Sequence, residues 1–139
     1  MPTTIDTKNT PMTDVKTGLA GLQILVVEDE ALIAMDIEDM LLDLNCEPVG
    51  PASTIKTALG IIRSAVRLDG VLLDMNLQGQ SVSPIVEELA KRGVPFVLVT
   101  GYARRDDDPT AMRDAPRLNK PFAVEALSEA LASTFVNPS

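Results

Sequence analysis

The polar residues of this sequence that are best suited to chemistry each follow a short apolar run. They are two adjacent acids, a third acid, a hydroxyl and a lysine: Glu28, Asp29, Asp74, Thr100 and Lys120. Carboxylates gathered in one crevice repel one another, which raises their pKa values and costs stability. Mg²⁺ relieves this repulsion, since it accepts one or two carboxylates together with water and phosphate oxygens. The set predicts a magnesium site in which a carboxylate attacks phosphorus, beside a hydroxyl and an ammonium that can contact phosphoryl oxygens.

The apolar runs that carry these residues are typical of strands buried on both faces of a parallel sheet. They span 22–27, 70–73 and 95–99, with 117–119 as a short last strand, and the prolines of 48–51 leave room only for a short, poor strand. Helical spacing of apolar residues predicts a helix of about 15 residues that includes 33–44. It also predicts a second helix capped by Ser53 or Thr54, a third over 82–92 that Gly93 stops, and a last one over 124–131.

Strand and helix alternate about five times, which predicts an α/β fold with helices on both faces of a parallel sheet. In such a sheet, ligands bind beyond the carboxyl ends of the strands. A single polar residue at a strand end usually only starts a loop, but the joint pattern favours one shared site. We expect a flexible leader over 1–18, a single domain over 19–136 and a short tail over 137–139.

The composition excludes several kinds of chemistry. The 139 residues include no histidine, which excludes Ser-His and Cys-His catalysis and histidine metal sites, and a single cysteine, Cys46, which excludes an internal disulfide. Twelve basic and twenty acidic residues give a net charge of −8, so we expect no direct binding to nucleic acid or to anionic membranes. No apolar run is long enough to cross a bilayer and the first residues lack a secretory pattern, so we expect a cytoplasmic location.

Four motifs in this order resemble the receiver domain of two-component response regulators. They are the segments 25–30 (LVVEDE), 71–77 (VLLDMNL), 99–101 (VTG) and 118–122 (LNKPF). The resemblance covers about 22–135. It implies a flavodoxin-like (βα)5 fold, a doubly wound parallel sheet with strand order 2-1-3-4-5.

The same resemblance implies a role for each site residue. Asp74 accepts a phosphoryl group, as 4-aspartylphosphate, from a histidine kinase or a phosphotransfer protein. Asp29 and Asp74 bind Mg²⁺ directly, Glu28 acts through water, and the backbone carbonyl of Asn76 completes the protein ligands. Thr100 and Lys120 contact the phosphoryl oxygens, and the Lys120–Pro121 peptide bond is expected to be cis. Such a protein promotes only its own phosphorylation and dephosphorylation, so we expect no other enzyme activity.

Two departures bear on how such a domain would signal. Receivers often carry an aromatic switch residue three positions before the lysine; Arg117 stands there, and we expect it to be a solvated strand residue. The segment 95–102 resembles the FATGUY subclass of receivers, which work with histidine kinases of the HWE or HisKA2 type. Its Tyr102 is as suited to a switch ring as to a half-exposed packing residue.

The sequence ends shortly after the last predicted helix, and we expect no output domain. We therefore expect a stand-alone receiver whose signal leaves by contact with a downstream protein or by phosphate transfer, as a relay intermediate or a sink. Two alternatives stay open. One is a receiver-like adaptor that works independently of phosphorylation. The other, ranked lower, is a phosphohydrolase of the haloacid dehalogenase type; it would need a second acid two residues after the nucleophile, where this chain has Asn76, and a cap insertion.

Overall fold

The fold is built on a sheet of five parallel strands. A computed structural model describes residues 18–101, 112 and 115–136. The strands are β1 (Gln23–Val27), β2 (Glu47–Ala52), β3 (Gly70–Asp74), β4 (Phe96–Thr100) and β5 (Arg117–Asn119). Their order in the sheet is β2-β1-β3-β4-β5, and each neighbouring pair is parallel. The predicted flavodoxin-like α/β sheet is confirmed.

Helices cover both faces of the sheet. They are α1 (Ala31–Asp43), α2 (Ile55–Ser64), α3 (Ser83–Arg92) and α4 (Val124–Leu131), which runs on into a π-helical turn (Ala132–Val136). Apolar residues of α1 and α4 form one buried cluster with the strands, and those of α2 and α3 form another on the opposite face. Because β1, β3 and β4 are covered on both sides, their sequences are continuously apolar.

Helix ends follow local capping rules. The Thr54 side chain accepts a hydrogen bond from the backbone N–H of Thr57 and so caps α2 at its first turn. Gly93 ends α3 with a φ of +69°, a left-handed conformation that glycine adopts without a steric penalty. Both ends lie where the sequence predicts them. Helix α1 has 13 residues, slightly fewer than the pattern suggests.

Strand β2 is longer than the prediction of a short, poor strand. It spans six residues and carries Pro48 and Pro51, with a cis peptide bond between Gly50 and Pro51. Among the residues that the structure describes, the strand lies at the edge of the sheet and pairs with β1 alone. Because one side of an edge strand needs no ladder hydrogen bonds, proline is tolerated there.

No helix within residues 18–101 and 115–136 combines the length and the apolar character that crossing a membrane requires.

Candidate functional site

The acids that follow β1 are fixed by backbone N–H groups. Glu28 is buried, and its Oε2 accepts a hydrogen bond from the backbone N–H of Glu30 at 3.2 Å. Asp29 is half-buried, and its Oδ2 accepts from the backbone N–H of Gln78 at 3.1 Å. The second contact ties the end of β1 to the loop that follows β3. The two carboxylates are thereby held at the carboxyl edge of the sheet.

Asp74 is the last residue of β3 and is 3% exposed. Its Oδ1 accepts a hydrogen bond from the backbone N–H of Asn76 at 3.1 Å. The Lys120 ammonium lies 3.5 Å from the same oxygen. This carboxylate therefore sits beside a cation at a strand end, with its orientation fixed by the turn that follows it.

Lys120 joins the acids from two strands. Its Nζ lies 3.1 Å from Glu28 Oε1 as well as 3.5 Å from Asp74 Oδ1. Its backbone N–H donates to the Thr100 carbonyl at 2.8 Å, which places the lysine beside the end of β4. The Lys120–Pro121 peptide bond is cis, as expected.

Burial and charge shift the acid–base behaviour of this pair. Burial raises the pKa of Glu28 above its ordinary value, although the Glu30 backbone N–H and Lys120 oppose the shift. For Lys120, burial acts to lower the pKa, but the hydrogen bond with Glu28 and the negative charges of Asp74 and Glu28 raise it on balance. The ammonium therefore stays protonated at neutral pH.

A cleft of about 280 Å³ opens above this cluster. It is lined by residues from the ends of the strands and the loops after them: Glu30, Asp74, Asn76, Thr100, Gly101 and Lys120. Thr100 is buried at its floor with 2% of its surface exposed. The cleft thus joins a carboxylate, a hydroxyl and an ammonium in one open space. A phosphoryl group could contact all three there.

The carboxylates have the chemistry and the proximity that a divalent cation requires. One oxygen each from Glu28, Asp29 and Asp74 lie within 4.8 Å of one another. Carboxylate oxygens are hard ligands of the kind that Mg²⁺ prefers, and an open cleft leaves room for the waters that it retains. The residues present therefore fit magnesium. Asn76 lines the same cleft, and the role of its backbone carbonyl stays a prediction.

The structure brings five predicted residues together, Glu28, Asp29, Asp74, Thr100 and Lys120, and adds two that the sequence analysis missed. Glu30 lines the cleft, and Gln78, at a φ of +55°, supplies the N–H that holds Asp29. The Gln78-Gly79 pair is a turn signal that could have drawn attention to this loop. Tyr102 lies outside the described residues, so its role as a switch stays a prediction.

The expectation that Arg117 is solvated is wrong. The residue is half-buried on β5. Its Nη1 lies 3.2 Å from the sulfur of Met75, and its Nη2 donates to the backbone carbonyl of Met112 at 3.0 Å. Successive strand residues point to opposite faces, and Leu118 joins the core cluster beneath α1 and α4. Arg117 therefore reaches the other face, where the loop after β3 can receive it.

Comparison with known proteins agrees with this geometry. SdrG from Sphingomonas melonis Fr1, a solution structure, is 42% identical with a TM-score of 0.71, and the match covers 81% of this chain and 95% of SdrG. The BeF3-activated conformation of SdrG matches at 43% identity and a TM-score of 0.70. The receiver domain of the sensor histidine kinase PA1611 from Pseudomonas aeruginosa PAO1, with a magnesium ion coordinated in its active site cleft, is 25% identical with a TM-score of 0.72. That match covers 85% of this chain and 99% of the PA1611 domain.

A curated relative and a family model identify the family. The transcriptional regulatory protein PdtaR of Mycobacterium tuberculosis is 33% identical over 125 residues, which are 87% of this chain. The match spans only 60% of PdtaR. The model of the response regulator receiver domain matches residues 24–132. With its strand order and its strand-end acids, the chain belongs to the response regulator receiver domains of two-component systems.

Proposed function

We propose that this chain is a receiver that accepts a phosphoryl group on Asp74 in a magnesium-dependent reaction. One observation carries the proposal. The buried Asp74 carboxylate lies in an open cleft, 3.5 Å from the Lys120 ammonium and within 4.8 Å of oxygens from two further acids. Relatedness to receivers, including one whose structure holds magnesium in its cleft, supports it.

In the proposed reaction, a carboxylate oxygen of Asp74 attacks the phosphorus of a phosphohistidine on the donor protein. The P–O bond forms as the P–N bond breaks, and the imidazole of the donor leaves and takes up a proton. Lys120 and the Thr100 hydroxyl contact the phosphoryl oxygens and offset the negative charge that gathers there. Mg²⁺ held by Asp29 and Asp74, with Glu28 acting through water, would supply further charge neutralisation. Beyond its own phosphorylation and dephosphorylation we propose no enzyme activity.

The outer face of α1 supports a protein as the phosphoryl donor. Leu32, Met35 and Leu42 are more than half exposed there. Acidic residues lie along the same face, and the sequence of α1 contains no lysine or arginine: its acids are Asp36, Glu38, Asp39 and Asp43. We propose that this face receives an amphipathic helix of the donor that carries basic residues beside an apolar stripe.

An apolar cavity lies between α1 and the site. It has a volume of about 140 Å³ and lies between α1 and the residues around the cis-proline, lined by Ile33, Asp36, Ile37, Met40, Lys120, Pro121 and Phe122. Because Lys120 belongs to both the cavity and the cleft, a helix seated on α1 would lie next to Asp74. Contact at α1 would therefore bring a phosphohistidine within reach of the cleft.

Phosphorylation by a small donor tests the proposal. The protein is incubated with Mg²⁺ and acetyl phosphate, and its intact mass is measured beside Asp74→Asn and the exposed-carboxylate control Asp43→Asn. We expect one phosphoryl adduct on the parent protein and the control, and none on Asp74→Asn or after chelation of Mg²⁺. An unmodified parent protein would contradict the proposal and favour the phosphorylation-independent adaptor.

The docking face is tested with a protein donor. A panel of histidine kinases of the HWE and HisKA2 types and of phosphotransfer proteins is presented to the parent protein and to Leu32→Ser. Val66→Ser removes an apolar side chain outside α1 that is even more exposed than Leu32, and it serves as control. We expect Leu32→Ser to slow transfer from the cognate donor at least tenfold while its modification by acetyl phosphate is unchanged. Equal transfer to both variants would contradict the role of α1.

From the FATGUY-like segment we propose that the donor is a histidine kinase of the HWE or HisKA2 type. We also propose that the chain acts in the cytoplasm. We propose that the phosphorylated chain acts on a downstream protein or passes its phosphoryl group on. The name of PdtaR describes a transcriptional regulator, but this chain spans 60% of that protein. With a net charge of −8 we propose no direct contact of this chain with nucleic acid or membrane.

A further inference from the structure

The guanidinium of Arg117 joins two segments that are far apart in sequence. Arg117 pairs with Leu98 in the sheet and extends toward the face covered by α2 and α3. Its Nη1 contacts the Met75 sulfur at 3.2 Å, and its Nη2 donates to the Met112 carbonyl at 3.0 Å. One planar, permanently charged group therefore connects the loop after β3 with the segment between β4 and β5.

The first of these segments follows Asp74 directly and contacts its side chain. Met75 is the next residue in the chain, and its backbone N–H donates to the Val99 carbonyl at 3.0 Å. The backbone N–H of Asn76 donates to Asp74 Oδ1, an oxygen whose charge and contacts phosphorylation would change. A change at Asp74 would therefore alter a hydrogen bond of the backbone that directly follows Met75.

Met112 itself is firmly packed. The Met112 side chain is 4% exposed and packs in the same core cluster as Leu73, Leu98 and Ala115. A hydrogen bond from a charged donor to a carbonyl is stronger than a contact with a thioether, which is a weak acceptor. The contact of Arg117 with the Met112 carbonyl is therefore stronger than its contact with the Met75 sulfur.

We propose that Arg117 is a positioning residue that couples phosphorylation of Asp74 to the packing of Met112. This inference rests on the proposed function. Coupling between two sites is reciprocal. A change at Met75 should therefore affect Met112, and a change at Met112 should affect Met75. The planar guanidinium contacts Met75 and Met112 at the same time through two of its nitrogens. The single ammonium of a lysine, on a flexible stem, cannot reproduce this arrangement.

Methyl NMR of the full chain, with methionine labelled at its methyl group, tests the coupling. BeF₃⁻ and Mg²⁺ serve as the probe of the phosphorylated state, and resonances of Met75, Met112 and the exposed Met35 are compared before and after addition. In the parent protein we expect Met75 and Met112 to shift and Met35 to stay. In Arg117→Lys and Arg117→Gln we expect Met75 to shift as before, while the Met112 shift falls by at least half.

Two controls separate the outcomes. Arg67→Gln removes a surface arginine paired with Asp69, and it is expected to keep both shifts. Intact mass after acetyl phosphate reports phosphorylation independently of the relay. An unmodified parent protein would overturn the proposed function and this inference with it. A full Met112 shift in both Arg117 variants, with Asp74 still modified, would overturn the coupling alone.

Discussion

The Lys120 ammonium lies 3.1 Å from the Glu28 carboxylate, and both groups are largely withdrawn from water. Bringing the two groups together costs free energy, because each loses hydration on burial. The pKa of Glu28 is raised by burial despite its cationic neighbour. The ion pair therefore holds Lys120 at the mouth of the cleft, while a negative charge remains in the site that a divalent cation can neutralise.

Replacement of Glu28 should stabilise the protein when no divalent cation is present. A group whose pKa is raised by folding contributes stability below its ordinary pKa of 4.5 and loses that contribution as pH rises through the raised value. At neutral pH the buried charge is therefore unfavourable, and Glu28→Gln should raise the free energy of unfolding by about 1 kcal/mol. Urea unfolding in a chelating buffer measures it. A less stable variant would show that the pair with Lys120 outweighs the burial of charge.

Magnesium should stabilise the folded parent protein. A cation that binds only the folded state stabilises it, by about 1.4 kcal/mol at ten times the dissociation constant. We expect this gain for the parent protein and for Asp43→Asn, and a smaller one for Asp29→Asn, because Asp29 supplies one of the clustered oxygens. Urea unfolding with and without Mg²⁺ measures the difference. Equal stabilisation of all three proteins would place the ion elsewhere.

A side chain at Gly70 should destabilise the protein. A Cβ at this position would lie 2.5 Å from ring carbons of Phe135, which packs over the start of β3. Gly70→Ala should therefore lower the free energy of unfolding by about 1–3 kcal/mol through overpacking. The loss should shrink when Phe135→Leu is present as well, which a double-mutant cycle measures.

Gly60 provides the matched control for this substitution. It is an exposed residue within α2, and a Cβ there would meet no atom within 4 Å. Gly60→Ala should raise the free energy of unfolding by about 1 kcal/mol, since alanine favours the helix. Destabilisation at both glycines would show that the Phe135 contact is not the cause.

The ion pairs of Glu88, which join α2 and α3, should make the stability of the protein depend on pH. Glu88 is buried, and its carboxylate lies 2.6 Å from Arg92 Nε and 3.5 Å from Arg63 Nη2. The hydrogen bond from Arg92 lowers the pKa of Glu88. A lowered pKa contributes stability above the ordinary value of 4.5 and loses it as pH falls through the shifted value.

Glu88→Gln tests this dependence. The variant should be less stable than the parent protein at neutral pH, and the two stabilities should converge in acid. Urea unfolding across this range measures the gap. A gap that stays constant would show that packing, and not the charge, accounts for the loss.

The strands and the site residues were predictable for one physical reason. Leu72, Leu73 and their neighbours are apolar because the strand is buried on both faces, so the polar Asp74 that ends it stands out. The same contrast marks Thr100 and Lys120. Because the carboxyl ends of parallel strands share one edge, the sequence alone predicted that these residues meet.

Contacts that depend on side-chain reach and loop conformation were not predictable. Arg117 lies on a short strand, and the residues around it in the sequence do not predict that its side chain contacts Met75 and Met112. Gln78 holds Asp29 through its backbone N–H, which almost any residue type could supply, so the identity of residue 78 does not reveal this contact. The length of β2 depended on its place at the sheet edge, where the strand tolerates its two prolines.

The site of phosphorylation is the central claim, and chemical trapping measures it most directly. The protein is treated with acetyl phosphate and Mg²⁺, and borohydride then reduces any aspartyl phosphate to homoserine, which peptide mass spectrometry locates. We predict homoserine in place of Asp74 and at no other acid. Homoserine at Asp29 or another acid instead, or its absence from the whole chain, would contradict the account.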